Sequence, residues 1–130
     1  MRYTTALRLL APVFPAVSAL HLALGVKAEV LLGADLPDQA VDDPTLDSQD
    51  RFYGVFFSLP AVLLLLAAHD LPRYRPVLRA VLWATFAGGL ARLVGWQAKG
   101  RPSAPILGLL AIELAVPPAM DIWLHRIDAT

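Results

Sequence analysis

The chain has 130 residues, of which 57% are hydrophobic and 17% are charged, and its mean hydropathy is +0.57. Charged residues usually make up about a quarter of a soluble domain, so this composition is typical of a membrane protein, and the length excludes a second domain or a nucleotide-binding fold. The lack of cysteine excludes disulfides, thiol nucleophiles and zinc-thiolate or iron-sulfur sites, while the formal net charge of zero gives no indication of a nucleic-acid partner.

Apolar runs recur along the chain with polar breaks between them. As a helix with a rise of ~1.5 Å per residue, each run can cross the ~30 Å hydrocarbon core of a bilayer, the second one narrowly. The runs are continuous and do not alternate, which argues against barrel strands. The predicted spans are residues 6–26, 52–68, 77–98 and 106–124. The sequence therefore predicts an all-α fold, an integral membrane four-helix bundle that forms a single domain over residues 1–130.

The first span permits two interpretations. It contains Pro12 and Pro15, which membrane helices tolerate where neighbouring groups satisfy the freed carbonyls. Arg2 and Arg8, followed by Val17-Ser18-Ala19, also resemble the basic region and cleavage site of a signal peptide. The four-span prediction takes this segment as a retained helix.

The connection between the first two spans, residues 27–50, is long and acidic. Residues 36–44 are rich in turn-forming types, and we expect an outer loop here. A long loop in so small a protein suits a lid or a docking surface, or else it is an acidic solvated connector. Its aspartates are Asp35, Asp38, Asp42, Asp43, Asp47 and Asp50.

The other connections are short, so the second, third and fourth helices are expected to pack antiparallel in sequence. Basic residues near the span ends favour an N-in/C-in orientation, with six on the inner side and four on the outer side. The inner group comprises Arg2, Arg8, Arg73, Arg75, Arg79 and Arg126, and the outer group comprises Lys27, Arg51, Lys99 and Arg101. Tyr53 and Trp96 then lie at the outer interface, where aromatic side chains are common.

Two charges fall inside the predicted spans. Arg92 lies ~10 Å below the outer end of the third helix, and Glu113 lies ~12 Å below that of the fourth. Each ion costs ~2.5–3.5 kcal/mol at a helix centre on insertion scales. Their matching depths predict a membrane-buried ion pair. Arg92 also continues a four-residue repeat of Ala80, Ala84 and Gly88, which predicts a small-residue stripe for close helix approach.

The fourth helix carries an acidic face. Glu113, Pro117 and Asp121 recur every four residues, and Pro117 leaves the Glu113 carbonyl without its helical partner. Arg92 could occupy this electronegative spot, and so could a cation or a proton.

Several polar residues converge at the depth of Arg92 if the helices close into a bundle. We predict a ligand-binding polar pocket in the outer half, under the acidic loop. Its residues are His21, Asp47, Gln49, Arg51, Tyr53, Arg92, Trp96 and Glu113. The simpler interpretations are an ion pair that only sets helix register and an interfacial histidine with a hydrogen-bond partner. No catalytic motif, metal-ligand spacing or cofactor motif is present, and the histidines do not pair at one depth for haem.

Four ordered motifs resemble those of a bacterial family of small four-helix membrane proteins, domain of unknown function 4345, which is loosely similar to DoxX-like proteins. The motifs are Asp47-Ser-Gln-Asp-Arg-Phe-Tyr-Gly54, Gly88-Gly-Leu-Ala-Arg92 with Trp96, Gly100-Arg-Pro102 and Glu113-Leu-Ala-Val-Pro-Pro118. The resemblance covers most of the chain and implies a four-helix integral membrane fold without a known activity. The family's polar positions match Asp47, Gln49, Arg51, Tyr53, Arg92 and Glu113, whereas residues 36–45 match no motif.

The leading functional hypothesis is a non-enzymatic protein of the bacterial inner membrane that binds or passes a small or lipid-like ligand. The alternative is an accessory subunit that packs against a larger membrane complex, as Gly/Ala faces would allow. A small membrane-embedded enzyme is the third. The expected partners are the lipid bilayer, a small-molecule or lipid ligand and a membrane protein, with no nucleic acid.

Overall fold

The computed structural model describes residues 2–128, and over that range it contains eight α-helices and no strand. The helices are α1 (Tyr3–Leu10), α2 (Val13–Leu24), α3 (Lys27–Leu31), α4 (Asp38–Val41), α5 (Pro44–Phe56), α6 (Leu59–His69), α7 (Leu71–Lys99) and α8 (Ala104–Asp128). The predicted all-α class is confirmed.

Four stretches of the described chain are long and apolar enough to cross a membrane. They are Tyr3–Leu24, Pro44–His69, Leu71–Lys99 and Ala104–Ile127. Large apolar side chains such as Leu9, Leu65, Val94 and Ile122 are exposed on these stretches. Soluble monomers rarely expose apolar surface so widely, so this arrangement fits helices that contact lipid.

Proline interrupts the first two spans. The break between α1 and α2 occurs at Pro12, which has no N–H to donate to the Arg8 carbonyl. The break between α5 and α6 falls at Phe57 and Ser58, just before Pro60. There the Val55 carbonyl accepts from both the Ser58 hydroxyl at 2.7 Å and the Ser58 N–H at 3.1 Å.

The segment predicted as an outer loop, residues 27–50, differs from that prediction because much of it is helical. It contains α3, α4 and the first half of α5. The Asp43 carboxylate caps α5 by accepting from the N–H groups of Thr45 at 2.8 Å and Leu46 at 2.9 Å. Pro44 follows at the first helical position, where its missing N–H has no partner to lose. The acidic residues after Asp43 therefore lie on a helix.

The helices pack as neighbours around a core that occupies one end of the bundle. α1 packs on α6, α6 on α7, α7 on α8, and α2 mainly on α5. We call this end the core end. Its buried cluster consists of Tyr3, Ala6, Leu7, Ala11, Ala61, Leu64, Ala67, Ala68, Leu78, Leu82, Met120 and Leu124. The opposite end holds residues 25–43 and 100–103, and we call it the loop end.

A polar contact joins the two connections of the loop end. The Ser103 hydroxyl, between α7 and α8, donates to the Leu32 carbonyl at 2.6 Å. Gly33 beside it has φ +96°, and a Cβ there would lie 2.7 Å from the Ser103 Cβ. The glycine therefore lets the backbone turn and lets Ser103 approach.

The prediction that the small-residue stripe of α7 makes a close helix contact was wrong. Ala80, Ala84 and Gly88 are exposed, and a Cβ on Gly88 would meet no atom within 4 Å. α7 instead buries Leu78, Leu82 and Gly89. Between helices in lipid, van der Waals packing decides which face turns inward, and in α7 the close contacts are made at Leu78, Leu82 and Gly89.

Candidate functional site

The predicted ion pair between α7 and α8 is present. The Arg92 Nε donates to the Glu113 Oε2 at 2.8 Å, and the two side chains are 35% and 15% exposed. The helices approach closely at Gly89, where a Cβ would lie 2.8 Å from the Leu114 Cδ2 and 3.1 Å from the Glu113 Cβ. Because Gly89 has no side chain, α7 and α8 can approach closely there, and the Glu113 backbone comes within reach of Arg92.

An apolar groove runs beside this ion pair. Its main part has a volume of about 570 Å³ and is lined by residues of α2, α5, α6, α7 and α8. A second cavity of about 170 Å³ extends towards Leu7 and Met120 of the core cluster and shares lining residues, among them Phe14 and Ile112. We call the two together the apolar groove. Arg92 and Glu113 are the charged residues of its lining.

A smaller polar cavity adjoins the groove and shares Arg92 with it. It has a volume of about 190 Å³ and lies between α2, α3, α5, α7 and α8. Its lining residues are Val17, His21, Glu29, Leu32, Asp50, Tyr53, Gly54, Phe57, Arg92 and Leu109. We call it the polar cavity. The apolar groove and the polar cavity also share Val17, Phe57 and Leu109, so the two spaces are neighbours with Arg92 in their common wall.

His21 is the central polar residue of the polar cavity. Its Nδ1 donates to the Asp50 Oδ2 at 2.9 Å and lies 4.0 Å from the Glu29 Oε1. The side chain of His21 is 12% exposed and that of Asp50 is 18% exposed. α5 approaches His21 at Gly54, where a Cβ would lie 2.6 Å from the His21 Cβ. The glycine therefore allows the helix contact that brings Asp50 to the imidazole.

Asp47 and Arg51 form a separate polar cluster that holds the turn between α2 and α3. The Arg51 Nε donates to the Asp47 Oδ2 at 2.7 Å, and its guanidinium also donates to the Leu22 carbonyl. The other carboxylate oxygen of Asp47 accepts from the Val26 N–H at 3.3 Å. Both residues line a distinct concavity with Lys27. Their contacts connect α5 to the end of α2.

The family model described as "Domain of unknown function (DUF4345)" matches residues 3–124 of the chain. The chain belongs to this family. No curated protein and no solved structure matches it. Family membership and four apolar helices fit a small multi-pass membrane protein.

The DUF4345 fold brings together only part of the predicted pocket. His21, Tyr53, Arg92 and Glu113 line the groove or the polar cavity, although Tyr53 is 65% exposed. Asp47 and Arg51 lie apart from both, as described above. Gln49 and Trp96 are exposed and belong to neither lining. The positions of side chains around α5 explain this division, because consecutive residues such as Gln49 and Asp50 lie on different faces of a helix.

Sequence reasoning missed two residues of the polar cavity, Glu29 and Asp50. Both lie in the predicted outer acidic connection, residues 27–50. The Asp43-Pro44 pair is an N-cap signal, and a helix starting there would have placed Asp47, Asp50 and Gly54 on one face by their spacing. No comparable signal in the sequence indicates Glu29, because the Gly25 turn brings it back to α2.

A second ion pair of the DUF4345 bundle lies at the core end. The Arg79 Nε donates to the Asp121 Oδ1 at 2.9 Å, and Asp121 is buried. The His125 Nδ1 donates to the Asp121 carbonyl at 2.8 Å and lies 3.9 Å from its Oδ2. Both acidic residues of the predicted face of α8 therefore pair with an arginine of α7.

Proposed function

We propose that this protein binds an amphiphilic, lipid-like molecule. The apolar chain of the ligand lies in the apolar groove, and its oxygen-bearing head reaches Arg92. The observation that carries the proposal is the position of Arg92 in the wall shared by an apolar space of about 570 Å³ and a polar one of about 190 Å³.

The chemistry of the two spaces supports such a ligand. Typical ligand sites occupy ~300–1,000 Å³ and combine apolar walls with a few polar groups, as this groove does. The hydrogen bond to Glu113 uses the Nε donor of Arg92, and a guanidinium carries five N–H donors. Ester, carboxyl and phosphate oxygens are the acceptors that this group binds best. His21 and Tyr53 add polar contacts on the far side of Arg92.

The same proposal gives the protein an orientation and a location. We place it in the bacterial inner membrane with both termini inside, because the basic residues near the span ends favour that direction. The loop end, with its aspartates, then faces outward, and the ligand head lies in the outer half of the bilayer. The surrounding lipid is the source from which such a ligand would enter.

The direct test is to extract the full chain in mild detergent and identify co-purified molecules by native and small-molecule mass spectrometry. We expect one amphiphile per chain, enriched over the bulk lipid composition. Gly88 lines the groove, and a Cβ there would meet no atom within 4 Å, so the side chain of Gly88→Leu can extend into the groove. This variant should reduce occupancy by at least ~10-fold, the effect expected for blocking a buried apolar site. Gly95→Leu is the matched control, since Gly95 lies on the same helix, has open space and lines neither cavity.

The head-group contact is tested by the double variant Arg92→Leu/Glu113→Leu. Removing both charges avoids leaving one of them unpaired in the bilayer. We expect the double variant to fold and to lose the ligand. The proposal fails if this variant, or Gly88→Leu, retains the ligand at the occupancy of the Gly95→Leu control, or if folded wild-type protein carries only bulk lipid.

The alternative is an accessory subunit, and the exposed small residues of α7 favour it. Ala80 and Ala84 are exposed, and a Cβ on Gly88 would have no contact within 4 Å, so another helix could approach this face. Extraction in gentle detergent followed by native gels separates the two functions. A discrete monomer or small homo-oligomer contradicts the subunit function, whereas co-migration with a larger complex supports it.

A further inference from the structure

Three side chains of types that can ligate a metal meet in the polar cavity, outside the Arg92–Glu113 ion pair and the lining of the apolar groove. They are His21 of α2, Glu29 of α3 and Asp50 of α5. One ligating atom from each lies within 4.8 Å of the other two. His21 and Asp50 are mostly buried, and the Glu29 side chain is 43% exposed.

We propose that His21, Glu29 and Asp50 form a binding site for one divalent transition-metal ion, with Zn²⁺ as its natural probe. One imidazole nitrogen and two carboxylate oxygens are a ligand set that zinc accepts at ~2.0–2.2 Å. This inference does not rest on the amphiphile: none of its three ligands lines the apolar groove, and only His21 is also a proposed contact of the amphiphile's head.

The distances suit a single ion. The His21 Nδ1 lies 2.9 Å from the Asp50 Oδ2 and 4.0 Å from the Glu29 Oε1. Two ligands of a tetrahedral zinc ion lie ~3.3 Å apart, so modest side-chain rotation brings all three atoms to bonding distance. The cavity of about 190 Å³ next to them leaves room for a water molecule in the fourth position. A site of this kind is open to a further ligand.

The surrounding charges leave this cluster negative. When His21 is neutral, the two carboxylates carry two negative charges, and a dication balances them. Arg92 faces the same cavity but is paired with Glu113 at 2.8 Å. Arg51 interacts with Asp50 at longer range, while its side chain is held by Asp47 and the Leu22 carbonyl. The nearby cations therefore already have partners of their own.

Two glycines position the ligands. Gly25 has φ +54° and turns the chain so that Glu29 faces His21 across the end of α2. Gly54 lets α5 contact His21, which places Asp50 beside the imidazole. Three helices thus supply one ligand each, and the Asp47 contact to the Val26 N–H holds the turn between two of them.

The test uses the full chain without a histidine tag, purified in detergent, stripped with a chelator and titrated with Zn²⁺ against a chromogenic competitor. We expect one Zn²⁺ per chain and no displacement by millimolar Mg²⁺, which prefers an all-oxygen octahedral site. Glu29→Gln, Asp50→Asn and His21→Gln should each weaken binding by at least ~10-fold, because each removes a direct ligand. Substitution with Co²⁺ should give visible absorption bands that His21→Gln abolishes.

The controls separate a site from general attraction to acidic surface. Asp38→Asn removes one exposed carboxylate of α4 and should leave the Zn²⁺ affinity unchanged. Glu29→Gln is the variant that best preserves the fold, because Glu29 is partly exposed, and circular dichroism checks each protein. Gly88→Leu should bind Zn²⁺ normally, so a failure of the amphiphile proposal leaves this one intact. No stoichiometric Zn²⁺ on folded wild type, unchanged affinity in Glu29→Gln, or equal loss in Asp38→Asn would overturn the site.

Discussion

Gly25 shows at the scale of one residue how a missing side chain sets the geometry of the loop end. Its φ of +54° is in the left-handed region, and a Cβ there would lie 1.7 Å from the Asp47 Oδ1. The turn and the α2–α5 contact both depend on this position. The depth of Arg92 and Glu113 was readable from the sequence, because hydropathy locates the span ends and the helical rise of ~1.5 Å per residue converts the distance from them into depth. The need for glycine at position 25 was not, because Asp47 approaches it from a distant part of the chain.

We predict that Gly25→Ala destabilises the protein by more than ~1 kcal/mol, because it combines backbone strain with a steric overlap. The measurement is unfolding in mixed micelles, followed by circular dichroism. The control is Gly108→Ala on α8, where a Cβ meets nothing within 4 Å and φ is negative. Because alanine favours a helix over glycine by ~0.5–1 kcal/mol, this control should be neutral or slightly stabilising. Equal stability of the two variants would contradict the account of Gly25.

At the scale of elements, the start of α5 determines which polar residues reach α2. The Asp43 cap begins the helix eight residues before the apolar run that marked the second span in the sequence. Hydropathy could not identify the first half of α5 as helix, because the face of α5 that contacts His21 is polar. Side-chain capping and packing on α2 stabilise it instead.

Asp43→Ala should cost ~1 kcal/mol by leaving two N–H groups of the first turn without their acceptor. Hydrogen exchange of the Thr45 and Leu46 amides should become faster, and Asp43→Ser should restore most of the protection. Asp42→Ala, one residue earlier and exposed, serves as the control with little expected change. If Asp42→Ala accelerated exchange as much as Asp43→Ala, the cap would not be what begins the helix.

The packing of α7 on α8 gives a second prediction at this scale. Gly89→Val should destabilise by ~1–3 kcal/mol through overpacking against Leu114 and Glu113. Gly88→Val, at the neighbouring position of the same helix, meets nothing within 4 Å and carries the same change in helix propensity. The difference in unfolding between the two variants isolates the helix contact. A larger loss for Gly88→Val would instead indicate that the small-residue stripe is the packing face.

The whole molecule is asymmetric along its helices. The buried apolar cluster fills the core end, whereas the polar cavity and the Asp47–Arg51 cluster adjoin the loop end, and the wide part of the groove borders the polar cavity. A core in one half can hold the bundle together while the other half remains open for a ligand. On the proposed function, the buried cluster would stabilise the bundle, and the head of the ligand would bind towards the other end.

The orientation of this asymmetry is open to a direct measurement, because the chain has no cysteine of its own. We predict that Asp38→Cys at the loop end reacts with a membrane-impermeant maleimide on intact bacteria. Pro72→Cys at the core end should react only after permeabilisation. The opposite pattern would place the termini outside and the loop end inside. A cysteine-free wild-type sample is the background control.

The sequence by itself predicted four apolar helical stretches that could cross a membrane, because apolar run length depends on bilayer thickness and needs no tertiary information. It also predicted the Arg92–Glu113 pair, since pairing offsets part of the free-energy cost of burying two opposite charges at one depth on adjacent helices. Only the tertiary structure decided which face of α7 packs inward and which acids join His21. Those outcomes depend on close approaches at Gly25, Gly54 and Gly89, and each of these approaches is made by residues far away in the sequence.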